Sequence, residues 1–146
     1  MGRIGAWEII SEDREHPPVA LQNETWTRPA KRWATVTPIV LDRYPKAKDE
    51  ADAEKEAEAV ITTACGRIGL PAPTNIVLMP VSPFIGSPPA SQFPPLPSKF
   101  GKARRLHVHA VLTFAEPVLG PVILGAGRFR GYGLCRPYAT RWGGGA

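Results

Sequence analysis

Two histidines and a set of arginines are the residues in this chain best suited to chemistry. His107 and His109 stand two apart in the run "RLHVHAVLTF", Arg105 to Phe114. Alternating apolar residues mark a strand, and residues i and i+2 of a strand share a face, their Cβ atoms roughly 6.5 Å apart at ~3.3 Å rise per residue. Imidazole has an unperturbed pKa of about 6.5 and is present in both protonation states near neutrality. Two of them at this spacing could flank one phosphate, one taking the proton of a 2′-hydroxyl and the other protonating the leaving 5′-oxygen. Such a cut needs positive charge on the phosphorane, which Lys102, Arg128 or Arg130 could supply. The competing reading is that at least one of the two is a satisfied polar residue on the sheet; His107 could also stack on a base without a chemical role. A zinc site lacks a third ligand, since His16 is remote and Cys65 and Cys135 have no metal-type spacing. No metal and no cofactor are expected.

The second chemical stretch is "GAGRFRGYGLCRP", Gly125 to Pro137. Gly125, Gly127, Gly131 and Gly133 permit positive φ and a close approach of backbone to a ligand. Main-chain amides left pointing outward would form an anion-binding nest. Arg128 and Arg130 can add bidentate contacts to phosphate, and Tyr132 could orient a group or stack on a base. A dinucleotide fingerprint fails, because no long helix and no acidic residue follow; a P-loop fails for want of Lys-Ser or Lys-Thr. The alternative is that the glycines only serve a tight hairpin.

Charge supports an anionic partner. From Lys99 onward the chain carries Lys99, Lys102, Arg104, Arg105, Arg128, Arg130, Arg136 and Arg141 against Glu116 alone, eight minus one or +7. The first 98 residues hold ten basic and twelve acidic groups, or −2. A field confined to one third of a chain attracts a polyanion, of which nucleic acid is the commonest in a cell. No run reaches the ~18 apolar residues of a membrane span, and the N-terminus lacks the apolar core of a secretory signal. A cytoplasmic protein with reduced thiols is expected.

These residues must be positioned by short elements, because seventeen prolines and fourteen glycines interrupt the 146-residue chain. Residues 1–32 read as an N-terminal extension or the end of a preceding unit, with one strand candidate in "AWEII". "RWATVTPIVL", Arg32 to Leu41, is β-branched and alternating, and Pro38 predicts an edge position or a bulge. A helix is predicted from Ala47 to Ile68, where Ala53, Ala57, Val60, Ile61, Ala64, Cys65 and Ile68 repeat at helical spacing. "NIVLMPVS", Asn75 to Ser82, is continuous enough for a buried strand. Residues 83–104 form a proline-rich basic loop connecting it to the His-x-His strand. "EPVLGPVILGAG" is expected to hold a short helical turn, "YGLCRPY" is a last strand, and 143–146 form a flexible tail. Strand, helix, strand, strand, short helix or loop, strand predicts an α+β, ferredoxin-like four-stranded antiparallel sheet over residues 33–142, with helices on one face. Its other face is expected to be open, as in many RNA-binding domains.

"GAGRFRGYG" followed by an apolar strand resembles the C-terminal glycine-rich loop of the RAMP superfamily of CRISPR-associated RNA-binding proteins. Together with "RWATVTPIVLDRYPK" and "HVHAVLTFAEPVLGPVILGAGRFRGYGLCRPY", it resembles the C-terminal part of the fused Cas Five–Six subunit of type I-G systems, over roughly residues 33 to 138. That resemblance implies a metal-independent endoribonuclease that cuts the repeat of the precursor CRISPR RNA. It implies as partners the precursor and mature crRNA and the other subunits of a type I interference (Cascade) complex, where the guide RNA is retained. The fused subunit is normally several times longer, so the chain is expected to be a separate small subunit, a split product or a fragment. The alternative function is a non-catalytic crRNA-binding subunit of the same complex.

Overall fold

A computed structural model describes residues 8–96 and 105–139. Lys99, Lys102 and Arg104, named above as RNA ligands, lie outside the described residues, as do Arg141 and the 143–146 tail. After a 3₁₀ turn at Val19–Leu21 the chain forms a one-turn helix, α1 (Glu24–Thr27). Strand β1 (Ala30–Thr35) follows, then β2 (Ile39–Val40), α2 (Glu50–Arg67), β3 (Asn75–Met79), β4 (His107–Val118) and β5 (Cys135–Pro137). β4 pairs antiparallel with β1 and β2 on one side and β3 on the other, and β1 pairs antiparallel with β5. β1 and β2 are one strand broken before Pro38, the bulge that a residue without an N–H imposes. The spatial order is therefore β3, β4, β1–β2, β5, the ferredoxin-like order with all neighbours antiparallel.

α2 covers one face of this sheet. Ala57, Val60, Ile61, Ala64 and Cys65 recur at i, i+3, i+4, i+7 and i+8 and form its buried stripe. They pack on Trp33, Val108, Ala110, Leu112 and Phe114 from the strands. Asp49 caps the helix by accepting a hydrogen bond from the Asp52 amide at 3.3 Å; in the last turn Arg67 pairs with Asp42. Asp49→Ala should therefore cost about 1 kcal/mol in a urea titration, and an unchanged midpoint would remove the cap from the account. Both cysteines are free, buried members of the core, and burial pushes the Cys65 thiol up to about 11. Cys135 is raised further, by its own burial first and by Cys65 second.

Three expectations need correction. The apolar run from Asn75 does not make a buried strand: β3 sits at the sheet edge beside β4 only, with Ile76 and Leu78 half-buried and Val77 exposed. No helical turn forms in "EPVLGPVILGAG". Its first residues extend β4, while Ile123 bridges to Leu134, and Val122 and Leu124 are fully buried. The third correction concerns the face opposite α2, which is not open where the histidines lie. The described part of the proline-rich segment, residues 83–96, folds back across it and is tied down by polar bonds. Ser82 donates to the Thr35 carbonyl at 2.6 Å, Ser87 donates to the Val36 carbonyl, and the Ala90 amide donates to the Pro80 carbonyl at 2.9 Å. Proline lacks an N–H to satisfy, so a proline-rich strap can lie on a sheet with few unpaired donors.

Candidate nucleic-acid interface

β4 alternates as its sequence predicts, with Val108, Ala110, Leu112 and Phe114 toward α2 and His107 and His109 on the opposite face. The two imidazoles have different surroundings. His109 is wholly buried, with Nε2 3.1 Å from the Pro88 carbonyl oxygen and Nδ1 2.9 Å from the Thr35 hydroxyl. A carbonyl can only accept, so Nε2 carries the proton, and Nδ1 of the neutral ring accepts from Thr35. Thr35 Oγ1 in turn accepts the Ala110 N–H at 3.0 Å. Both ring nitrogens are thus engaged within the fold. Burial pushes His109 below the ordinary imidazole range, partly opposed by the bond to Pro88.

His107 is half-buried, and its Nε2 has no hydrogen-bond partner among the described residues. Burial lowers its pKa as well. Its ring lies 5.4 Å from that of Tyr132, which meets Phe93 at 5.9 Å; Phe93 in turn meets His109 at 6.3 Å. Tyr132 is itself buried and donates its hydroxyl to the Pro94 carbonyl, so it supports the strap from beneath. Arg105 and His107 border an open groove of about 520 Å³ with Tyr44 and Phe93.

The glycine-arginine loop is a packed hairpin with an exposed tip. Its amides at Ala126, Arg128, Arg130, Tyr132 and Gly133 donate to Val40, Gly125, Gly127, Gly127 and Pro38 carbonyls, respectively. The Leu134 amide donates to the Thr37 hydroxyl at 3.0 Å. Those six amides are unavailable to an anion. A Cβ on Gly125 would lie 2.5 Å from the Val40 carbonyl oxygen, and one on Gly133 would lie 1.8 Å from that of Leu124. Close backbone approach therefore demands glycine at both. Gly127 is buried against Tyr132, and Gly131 is exposed at the turn. Arg128, Phe129 and Arg130 form a single 3₁₀ turn at the tip. Phe129 is 86% exposed, and the Arg128 guanidinium lies over its ring at 4.5 Å. Phe129 stands between two arginines in the sequence, a signal that the glycine pattern around it obscures.

Arg136 stands apart from both groups, on β5. Its guanidinium lies 5.4 Å from the centre of the Phe84 ring. Phe84 meets Tyr138 edge to face at 5.7 Å, and Arg32 lies over Tyr138 at 5.3 Å. The chemistry is thus distributed over three places: His107 with Arg105 in the groove, Arg128 to Arg130 at the loop tip, and Arg136 on the far strand.

An α+β protein of ferredoxin-like strand order, with a strapped sheet face and a basic rim interleaved with aromatic rings, is the class that this fold and surface define. The chain belongs to the GSU0054 family of CRISPR-associated proteins, whose family model matches residues 10–137. No curated protein and no solved structure matches it significantly. Among the described residues no helix is long and apolar enough to cross a membrane.

Proposed function

We propose that this CRISPR-associated protein holds RNA as a non-catalytic subunit of a type I interference complex, gripping the guide strand through its arginine-rich surface. The observation that carries this reading is the loop tip, where an exposed phenylalanine is presented between two arginines on a tightly packed glycine base. Arginine forks suit phosphate, and an exposed ring offers a base a stacking surface. The glycines contribute by holding the tip rigidly rather than by touching the ligand.

Repeat cleavage, with His107 and His109 as the acid–base pair, is the competing reading. It asks two imidazoles to exchange protons with substrate, whereas His109 spends both nitrogens on Thr35 and Pro88. His107 alone, a residue that borders the groove but whose unpartnered Nε2 is buried, leaves the reaction short of its second proton-transfer group. The two readings separate in one assay. The protein is incubated with its cognate repeat hairpin in EDTA, and binding and cleavage are followed together. Expected are a shifted, intact RNA and an affinity that falls steeply with salt as counterions are released. The Arg128→Ala/Arg130→Ala double variant should bind at least about tenfold more weakly, with a log–log salt slope smaller by about 1.4, at ~0.7 per single-strand phosphate contact. A single cut leaving a 2′,3′-cyclic phosphate, lost in His107→Ala, would restore the enzyme; unchanged affinity in the double variant would remove the loop tip from the interface.

A further inference from the structure

The Arg136 cluster belongs neither to the loop tip nor to the histidine groove. It lines a separate open groove of about 550 Å³, whose walls are Arg28, Phe84, Arg136, Pro137, Tyr138 and Ala139. The groove draws on three distant parts of the chain: the residue closing α1, the proline-rich segment and β5. Its two rings meet edge to face at 5.7 Å and 83°. Each ring has an arginine over it, Arg136 over Phe84 and Arg32 over Tyr138. Arg28 is exposed at the rim, and no carboxylate lines the groove among its described residues.

We infer that this groove is a second RNA site, one that receives unpaired bases; the inference rests on the RNA-holding reading above. Charge alone would suit any polyanion, but the rings narrow the choice. A guanidinium lying on a ring keeps its N–H groups in its own plane, where they can still reach phosphate oxygens. The half-buried rings beside it can take the face of a base. Bases paired in an A-form helix are stacked on one another and cannot enter a recess. The ligand is accordingly a single-stranded segment, its bases against Phe84 and Tyr138 and its phosphates toward Arg28 and Arg136. Such a site would complement the loop tip by gripping the strand at a second point, beyond the part of the sheet that the proline-rich strap closes off.

The test uses the full chain and two labelled probes, an oligouridylate of about ten nucleotides, within the site sizes usual for single-strand binders, and an abasic ribose-phosphate chain of the same length. Tyr138→Leu should weaken the oligouridylate about tenfold and leave the abasic chain unchanged. Arg28→Gln/Arg136→Gln should weaken both probes and lower the salt slope by about 1.4. Arg28 is exposed, so Arg28→Gln alone, expected to lower the slope by about 0.7, guards against a folding defect in the others. If Tyr138→Leu affects both probes equally, or polyglutamate competes as well as the oligouridylate, the base-binding claim falls. If none of the groove variants changes either affinity while Arg128→Ala/Arg130→Ala does, this site is lost and the loop-tip reading stands. Failure of the unaltered protein to bind either probe would remove both.

Discussion

Gly133→Ala is expected to lower stability by more than about 3 kcal/mol, although it adds one methyl group. Gly133 has φ +70°, a region that costs an L-residue about 1–2 kcal/mol. The new Cβ would also sit 1.8 Å from the Leu124 carbonyl oxygen, so the hairpin must open. Opening it removes the Leu124 amide bond to the Gly133 carbonyl at 3.0 Å and the Gly133 amide bond to Pro38 at 2.8 Å. It also loosens Leu124, which is fully buried. A combined loss above about 3 kcal/mol is a large part of the 5–15 kcal/mol that typically separates folded from unfolded states. Equilibrium urea unfolding measures it. Gly131→Ala is the comparison: φ is +85° but nothing lies within 4 Å of the added Cβ, so only about 1–2 kcal/mol should be lost. Were the glycines ligand-contacting residues only, Gly133→Ala would retain its unfolding midpoint and lose RNA affinity. Equal midpoints for the two variants would refute the packing account.

His109→Ala has the second-largest expected effect, a loss of about 3–5 kcal/mol at pH 8. The change empties a fully buried site and leaves the Thr35 hydroxyl and Pro88 carbonyl without their partner, combining a cavity with unmet polar groups. The loss should also free the strap, seen as faster proteolysis near Pro88. A wild-type midpoint for His109→Ala would mean that the strap does not depend on this imidazole.

The same residue predicts a pH dependence whose sign follows from burial. His107 and His109 are both held below the ordinary imidazole value in the folded chain. Unfolding lets them regain ordinary pKa values, so below about pH 6.5 the unfolded state binds more protons. Their contribution is complete above that pH and is lost as pH falls through it toward the depressed folded values. The slope is at most about 1.4 kcal/mol per pH unit for each histidine. Urea midpoints between pH 8 and pH 5 should fall in the wild type and fall less steeply in His109→Gln. Parallel curves would show that His109 is not held neutral by the fold.

Much of this architecture was legible because periodicity is a local property. The i, i+3, i+4 repeat from Ala57 to Cys65 identified the buried face of α2, and the alternation from Leu106 to Phe114 assigned the two faces of β4. Pro38, which cannot donate to a ladder, marks the break between β1 and β2. The ferredoxin-like order followed from the order of elements. Where the local signal was equally good for two outcomes, the reading failed. An apolar run such as Asn75–Met79 fits a strand covered on both faces or one left partly exposed at an edge, and only the neighbouring elements decide between them. The short segment around Val122 to Leu124 is extended because it pairs with Gly133 to Cys135, a contact that no local propensity encodes.

The candidate site divides along the same line. By itself, the sequence determined which chemistry the chain carries: two imidazoles sharing a strand face, and guanidinium groups concentrated toward the C-terminal end. Tertiary structure decided which of those groups stay exposed and which are spent on partners within the fold. The bonds that close the strap over His109 join residues 47 and 51 positions apart, Ser82 with Thr35 and Ser87 with Val36. Arg28, Phe84 and Arg136 meet across more than half the chain. Side-chain spacing within one strand is set by backbone geometry, which a short stretch carries intact. Whether a donor or acceptor faces water or a distant partner depends on how the whole chain closes, and that is settled only when the strap, the hairpin and the sheet come together.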